Sequence, residues 1–92
     1  MAKVRKHVFI HGKVQGVGYR YSAFNMAVSL GIKGWVRNKF DGSVEAMLEG
    51  EEIVLNQMVE WCKKGPIMAH VENVEVYDYN YKEEFWDFSI KG

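Results

Sequence analysis

The stretch KVRKHVFIHGKVQGVGYRYSAFNMAVSLG, Lys3 to Gly31, decides how the rest of the chain is read. Its first part alternates: Val4, Val8 and Ile10 share one face at period two, as a half-buried strand requires. Lys6 interrupts that face near the start of the strand. The last part has another period. From Arg20 onward, Ala23, Met26, Ala27 and Leu30 recur at i, i+3, i+4 and i+7, the stripe of an amphipathic helix that Gly31 is placed to stop. Between the two lies a loop holding Gly12, Gly16 and Gly18, closed by Arg20. Strand, glycine loop and helix in that order predict the opening of a βαβ unit.

Working outward, IKGWVRNK (32–39) reads as a second strand, and FDGS carries the Asp41-Gly42 hairpin signal. SVEAMLEG (43–50) reads as a third strand, with Val44, Ala46 and Leu48 on one face and Glu45 and Glu49 on the other. A second helix is expected from about Glu51 to Lys64. Leu55, Met58, Val59 and Cys62 form its stripe, acidic residues occupy its first turn and lysines its last, and Gly65-Pro66 ends it. AHVENVEVYDY (69–79) reads as a fourth strand whose apolar phase slips between Val71 and Val74, which predicts a bulge near Glu72–Asn73. FWDFSI (85–90) is a candidate short final strand. The order β-α-β-β-α-β is the α+β, ferredoxin-like split βαβ plan, an antiparallel sheet with two helices on one face. The crossover makes the first two strands parallel, with the third antiparallel between them. Residues near 15–20 and near 37–39 are therefore expected at one edge of the sheet.

The 92 residues fit a single domain, 1–92. Twelve Lys+Arg balance twelve Asp+Glu, which argues against a broad nucleic-acid or membrane-surface footprint and leaves room for a small cationic pocket. One cysteine, Cys62, excludes an intramolecular disulfide and suits a reducing cytoplasm. No apolar run reaches membrane-spanning length, and MAKVRKHVFI lacks the apolar core of a signal peptide. A cytoplasmic monomer is the expectation.

The expected edge is where chemistry can gather. Gly16 and Gly18 let the loop curl with several N–H groups turned inward. The loop enters a helix N-terminus, where N–H groups are unpaired and the dipole favours an anion. Arg20 adds a fixed positive charge and a fork that matches two phosphate oxygens. A glycine turn is by itself mostly a turn, and an arginine at a helix start is usually a solvated charge. The dipole argues otherwise here, because a cation at a helix N-terminus is unfavourable without an anion to meet it. The Gly-Lys-Ser/Thr ending of a nucleotide-binding loop is absent. Asn38, beside a hairpin, would by default be a turn former. His7 and His11 are four apart on a strand, about 13 Å between Cα atoms, and so are poorly placed to share a metal. They read as surface histidines, and His70 has no evident partner. Cys62 lies on a core stripe and reads as a buried thiol. Trp35, Trp61, Tyr77 and Tyr79 read as packing residues. No metal site and no cofactor is expected.

GKVQGVGYR (12–20) resembles the first signature of the acylphosphatase family, G-x-V-Q-G-V-x-F-R, and GWVRNKFDGSVEAMLEG (34–50) resembles the second. Tyr19 stands where that family usually has Phe. Its added hydroxyl is tolerable if the tip reaches water or a partner. The resemblance implies hydrolysis of acyl phosphates, with the phosphate held by the loop Gln15, Gly16, Val17, Gly18, Tyr19 and Arg20 and with water oriented by Asn38. It also implies a small-molecule acyl phosphate as substrate and inorganic phosphate or sulfate as competing anions. The chemistry agrees with the residues present. A carboxylate leaving group, whose conjugate acid has a pKa of roughly 4–5, departs without a general acid. Phosphoryl transfer is mostly positioning and charge stabilisation. Two other readings compete: a non-catalytic anion-binding or regulatory module of the same fold, and the acylphosphatase-like segment of a larger hydrogenase-maturation protein. The latter is disfavoured by a chain ending at Gly92 without zinc-finger-like cysteine pairs.

Overall fold

The computed structural model describes residues 2–92. The elements are β1 (Lys3–Lys13), α1 (Tyr19–Ser29), β2 (Lys33–Asn38), β3 (Val44–Glu51), α2 (Glu52–Lys64), β4 (His70–Tyr79) and β5 (Phe88–Lys91). They form one sheet in the order β4-β1-β3-β2-β5 with both helices against it. This is the expected α+β, ferredoxin-like plan with one difference. The four main strands pair antiparallel, but β5 joins β2 in parallel, so the sheet is mixed. The reason is the route of the chain. β4 finishes opposite Arg5, near the start of β1. The segment 80–87 then crosses that end of the sheet and enters β5 in the same direction as β2.

Register explains the core. Val76, Val8, Ala46, Val36 and Ile90 form one row across all five strands. Val74, Ile10, Val44 and Asn38 form a second row on the same face. That face is closed by Ala23 and Ala27 of α1 and by Leu55, Met58, Val59 and Cys62 of α2, all buried. Asn38 thus takes the position of a core residue at the last rung of β2. The expected bulge is present: His11 pairs Asn73 and Gly12 pairs Val71, leaving Glu72 unpaired on β4.

The other face holds charges that alternation assigns to a surface. Glu45 and Glu49 are both buried. Glu49 accepts hydrogen bonds from the N–H groups of Lys82 and Glu84 at 2.9 and 3.0 Å and from Arg5 Nη1 at 3.3 Å. The Arg5 guanidinium lies 5.2 Å from the centre of the Phe85 ring. Segment 80–87 is therefore tied down on the open face, and Glu49 is satisfied by the strap that buries it.

Candidate active site

The loop after β1 and the hairpin after β2 meet at the expected edge. The Gln15 side-chain amide donates to the carbonyls of Lys39 and Ser43, at 2.7 and 2.9 Å. It is therefore a brace between loop and hairpin, a role its place in the glycine loop did not reveal. The hairpin itself is held by Lys39 N–H to the Ser43 carbonyl at 2.9 Å and by Asp41, whose Oδ1 accepts from Ser43 N–H and Oγ–H at 2.9 and 2.6 Å. Those two hydrogen bonds hold the Asp41 carboxyl below its ordinary range.

Gly16 and Gly18 have φ of 75° and 78°, in the left-handed region. A Cβ built on either would meet nothing within 4 Å, so the requirement there is conformational and not steric. Gly18 is the N-cap of α1. No side chain caps that helix, and no acidic residue lies in its first turn. The first helical bond runs from Ser22 N–H to the Gly18 carbonyl at 3.0 Å. The preceding N–H groups belong to the unpaired set that every helix start presents. Among the described residues, Arg20 forms no ion pair, and its Nη1 makes one long contact, 3.5 Å, with the Lys91 carbonyl.

A cleft of about 240 Å³ is lined by Gly16, Gly18, Arg20, Tyr21 and Asn38, above Val14 and Tyr19. Arg20 and Asn38, far apart in sequence, thus line the same cleft. Asn38 Oδ1 is buried and accepts no hydrogen bond from the described residues. A buried amide oxygen without a donor is uncommon, and it calls for a ligand or water.

Tyr19 answers the question raised by its hydroxyl. The ring is buried, and the hydroxyl donates to the Cys62 carbonyl at 2.7 Å, near the end of α2. Burial, with Cys62 adding to it, raises the Tyr19 hydroxyl pKa well above its ordinary value. Burial likewise pushes the Cys62 thiol up to about 12, which fits an inert core thiol. His7 differs from the surface reading, whereas His11 is partly exposed and His70 exposed. His7 Nε2 meets Glu45 Oε2 from a mostly buried position, and His11 Nε2 lies 2.7 Å from Glu75 Oε1. Among the described residues, no three His, Cys, Asp or Glu side chains gather closely enough to hold a metal ion. No helix there is long and apolar enough to cross a membrane.

The fold and the cleft together define the class as α+β, ferredoxin-like proteins with a cleft at the start of the first helix. The acylphosphatase family model matches residues 6–90. The chain is 52% identical over 91 residues to an acylphosphatase of Pyrobaculum islandicum, covering 98% of this chain and 96% of that one. In structure it is similar to the crystal structure of acylphosphatase from Bacillus subtilis, with a TM-score of 0.93 at 35% identity over 97% of this chain and 99% of that chain. It is also similar to full-length HypF in its phosphate- and nucleotide-bound form, with a TM-score of 0.85 at 29% identity, covering 99% of this chain and 12% of that longer one. The chain belongs to the acylphosphatase family.

Proposed function

We propose that the chain, as a single domain of residues 1–92, hydrolyses the carboxyl–phosphate bond of acyl phosphates by holding the phosphoryl group and aiming a water at it. Family membership carries the reaction class. Arg20 and the N–H groups of the loop Gln15–Arg20 receive the phosphoryl oxygens, at a helix start that lacks any anion of its own. Asn38 Oδ1 accepts a hydrogen bond from the attacking water and sets it in line with the breaking bond. The water oxygen forms the new bond to phosphorus while the P–O bond to the acyl oxygen breaks. The bonding pair leaves with the carboxylate, and the water's proton passes to a phosphoryl oxygen of the substrate. The products are a carboxylate and inorganic phosphate.

The observation that carries this reading is the Asn38 amide oxygen, buried without a donor among the described residues in the cleft that Arg20 also lines. It suits a bound water, which donates to an amide oxygen as a fully ionised phosphoryl oxygen cannot. We place the enzyme in the cytoplasm as a monomer, a reading supported by its single buried thiol.

The test is turnover of benzoyl phosphate. We expect hydrolysis that persists in excess EDTA, with inorganic phosphate and sulfate as competitive inhibitors. A folded protein that binds phosphate at this loop but does not turn over the substrate is a binding module. Loss of activity in EDTA, restored by Mg²⁺ or Zn²⁺, contradicts a mechanism carried by Arg20 and N–H groups.

A further inference from the structure

A second and larger concavity opens on the other side of Asn38. It measures about 530 Å³, and Arg37, Lys39, Phe40 and Lys91 surround it, with Asn38 at its junction with the loop cleft. Asn38 lines both spaces, so the larger one adjoins the cleft proposed for the phosphoryl group. No Asp or Glu side chain lines this groove.

Its charges are arranged and only partly balanced. Lys91 and Arg37 are paired across β5 and β2, on the open face of the sheet. Lys91 Nζ lies 4.6 Å from the centre of the Trp35 ring, and Lys39 Nζ lies 4.9 Å from that of Phe9. Both ammonium groups thus lie over rings that stand beside the groove, outside its lining, and a ring face attracts them without cancelling their charge, although Asp41 and Glu75 feel the charge of Lys39. Neither lysine forms an ion pair among the described residues, whereas Arg37 donates from Nε to Glu45 at 2.6 Å. The whole chain has zero formal charge, so this concentration of cations is local. Phe40 is fully exposed at the rim, an apolar surface without a partner in the fold.

We infer that this groove is the acyl subsite and that it favours acyl phosphates whose acyl group carries a second anion beyond a flat or apolar body. Lys39 and Lys91 meet the distal anion and Phe40 meets the body. The inference rests on the acyl phosphate reading above and adds the substrate's far end to it. Long-range steering by the same lysines predicts something different, since it grows with a substrate's total charge and is indifferent to where the second anion sits.

The experiment compares 4-carboxybenzoyl phosphate with benzoyl phosphate, which share the ring, leave as benzoates of similar basicity and differ in the distal carboxylate. For the unmodified enzyme we expect kcat/KM about 10-fold higher for the carboxylated substrate at low salt, the scale of two ammonium groups near one carboxylate in water. The advantage should shrink as salt rises. In the double variant Lys39→Gln, Lys91→Gln the advantage disappears, while kcat/KM for benzoyl phosphate and the inhibition constant of inorganic phosphate change less than twofold. Equal kcat/KM for the two substrates in the unmodified enzyme overturns the subsite. An equal gain for 3-carboxybenzoyl phosphate, which has the same charge with its carboxylate elsewhere on the ring, also overturns it and leaves steering. If neither substrate is hydrolysed by folded protein, the acyl phosphate reading itself has failed.

Discussion

Tyr19 joins the phosphate loop to the second helix through one buried hydrogen bond, from its hydroxyl to the Cys62 carbonyl at 2.7 Å. Removing the hydroxyl leaves that carbonyl without its donor in an apolar setting. Tyr19→Phe should cost about 1–2 kcal/mol, a drop of several degrees in Tm for a domain this small. It should leave kcat within about twofold, because the ring and the backbone of the loop stay in place. Thermal unfolding and initial rates on the same preparation check this, and a normal Tm would mean that the carbonyl finds another donor. Gln15 makes the complementary case. The two carbonyls it reaches are not orphaned without it, since Gly42 N–H still bonds Lys39 and Lys39 N–H still bonds Ser43. Gln15→Met should therefore change Tm little. It should lower kcat about 10-fold or more, because the loop and the hairpin lose their common brace and misplacement by an ångström is costly. Phosphate affinity, which depends on the loop and Arg20 alone, should hold. A kcat near that of the unmodified enzyme contradicts the bracing role.

At the scale of elements, the strap 80–87 is the part that binds the sheet's far end, and Glu49 is its anchor. Glu49→Ala leaves two backbone N–H groups and the Arg5 guanidinium short of an acceptor, though Arg5 keeps Glu84. Breaking such a buried arrangement costs about 3–5 kcal/mol. We expect a large loss in urea-unfolding stability, with phosphate affinity retained in the folded fraction, since the loop lies at the opposite end of β1. The four main strands and two helices were legible because each buries one face of a regular repeat. Val8 with Ile10 and Leu55 with Met58 announce their elements by spacing alone. The Glu72 bulge was legible as a phase slip, and the meeting of loop and hairpin followed from topology. The strap was not legible. A segment without periodicity gives no sign of the face it crosses, so Glu45 and Glu49 looked like residues of an open strand face. The direction of β5 was hidden for the same reason. In the site, Arg20 and the glycines stand out by composition, whereas the brace made by Gln15 depends on carbonyls 24 and 28 residues away.

For the whole molecule, the acid limit of stability should lie with a few carboxylates. Burial works to raise the Glu45 carboxyl, but hydrogen bonds from His7 and Arg37 outweigh it and the net shift is downward. Asp41 is lowered by Ser43 and Glu75 by His11. Each binds protons less readily folded than unfolded, so each contributes stability that is complete above the unfolded carboxylate value, roughly pH 4–5, and is lost as pH falls through the lower folded value. Urea midpoints measured from pH 6 to pH 3 should therefore decline, with the steep part below pH 4. Glu45→Gln should lower the plateau and flatten that decline. A decline as steep in the variant as in the unmodified chain places the acid sensitivity elsewhere.

The division of labour between Arg20 and Asn38 is the centre of the account, and one paired measurement addresses it: kcat and the inhibition constant of inorganic phosphate for Asn38→Ala and Arg20→Ala, each with its unfolding curve. If Asn38 meets only the water, as proposed, folded Asn38→Ala loses about 10²–10³ in kcat, the scale of one positioned hydrogen-bonding group, with phosphate affinity nearly unchanged. If Arg20 meets the phosphoryl group throughout, Arg20→Ala loses both, and Arg20→Lys restores little because an ammonium cannot fork across two oxygens. Folded Asn38→Ala with a near-normal kcat, or with phosphate affinity as weak as that of Arg20→Ala, would contradict the mechanism.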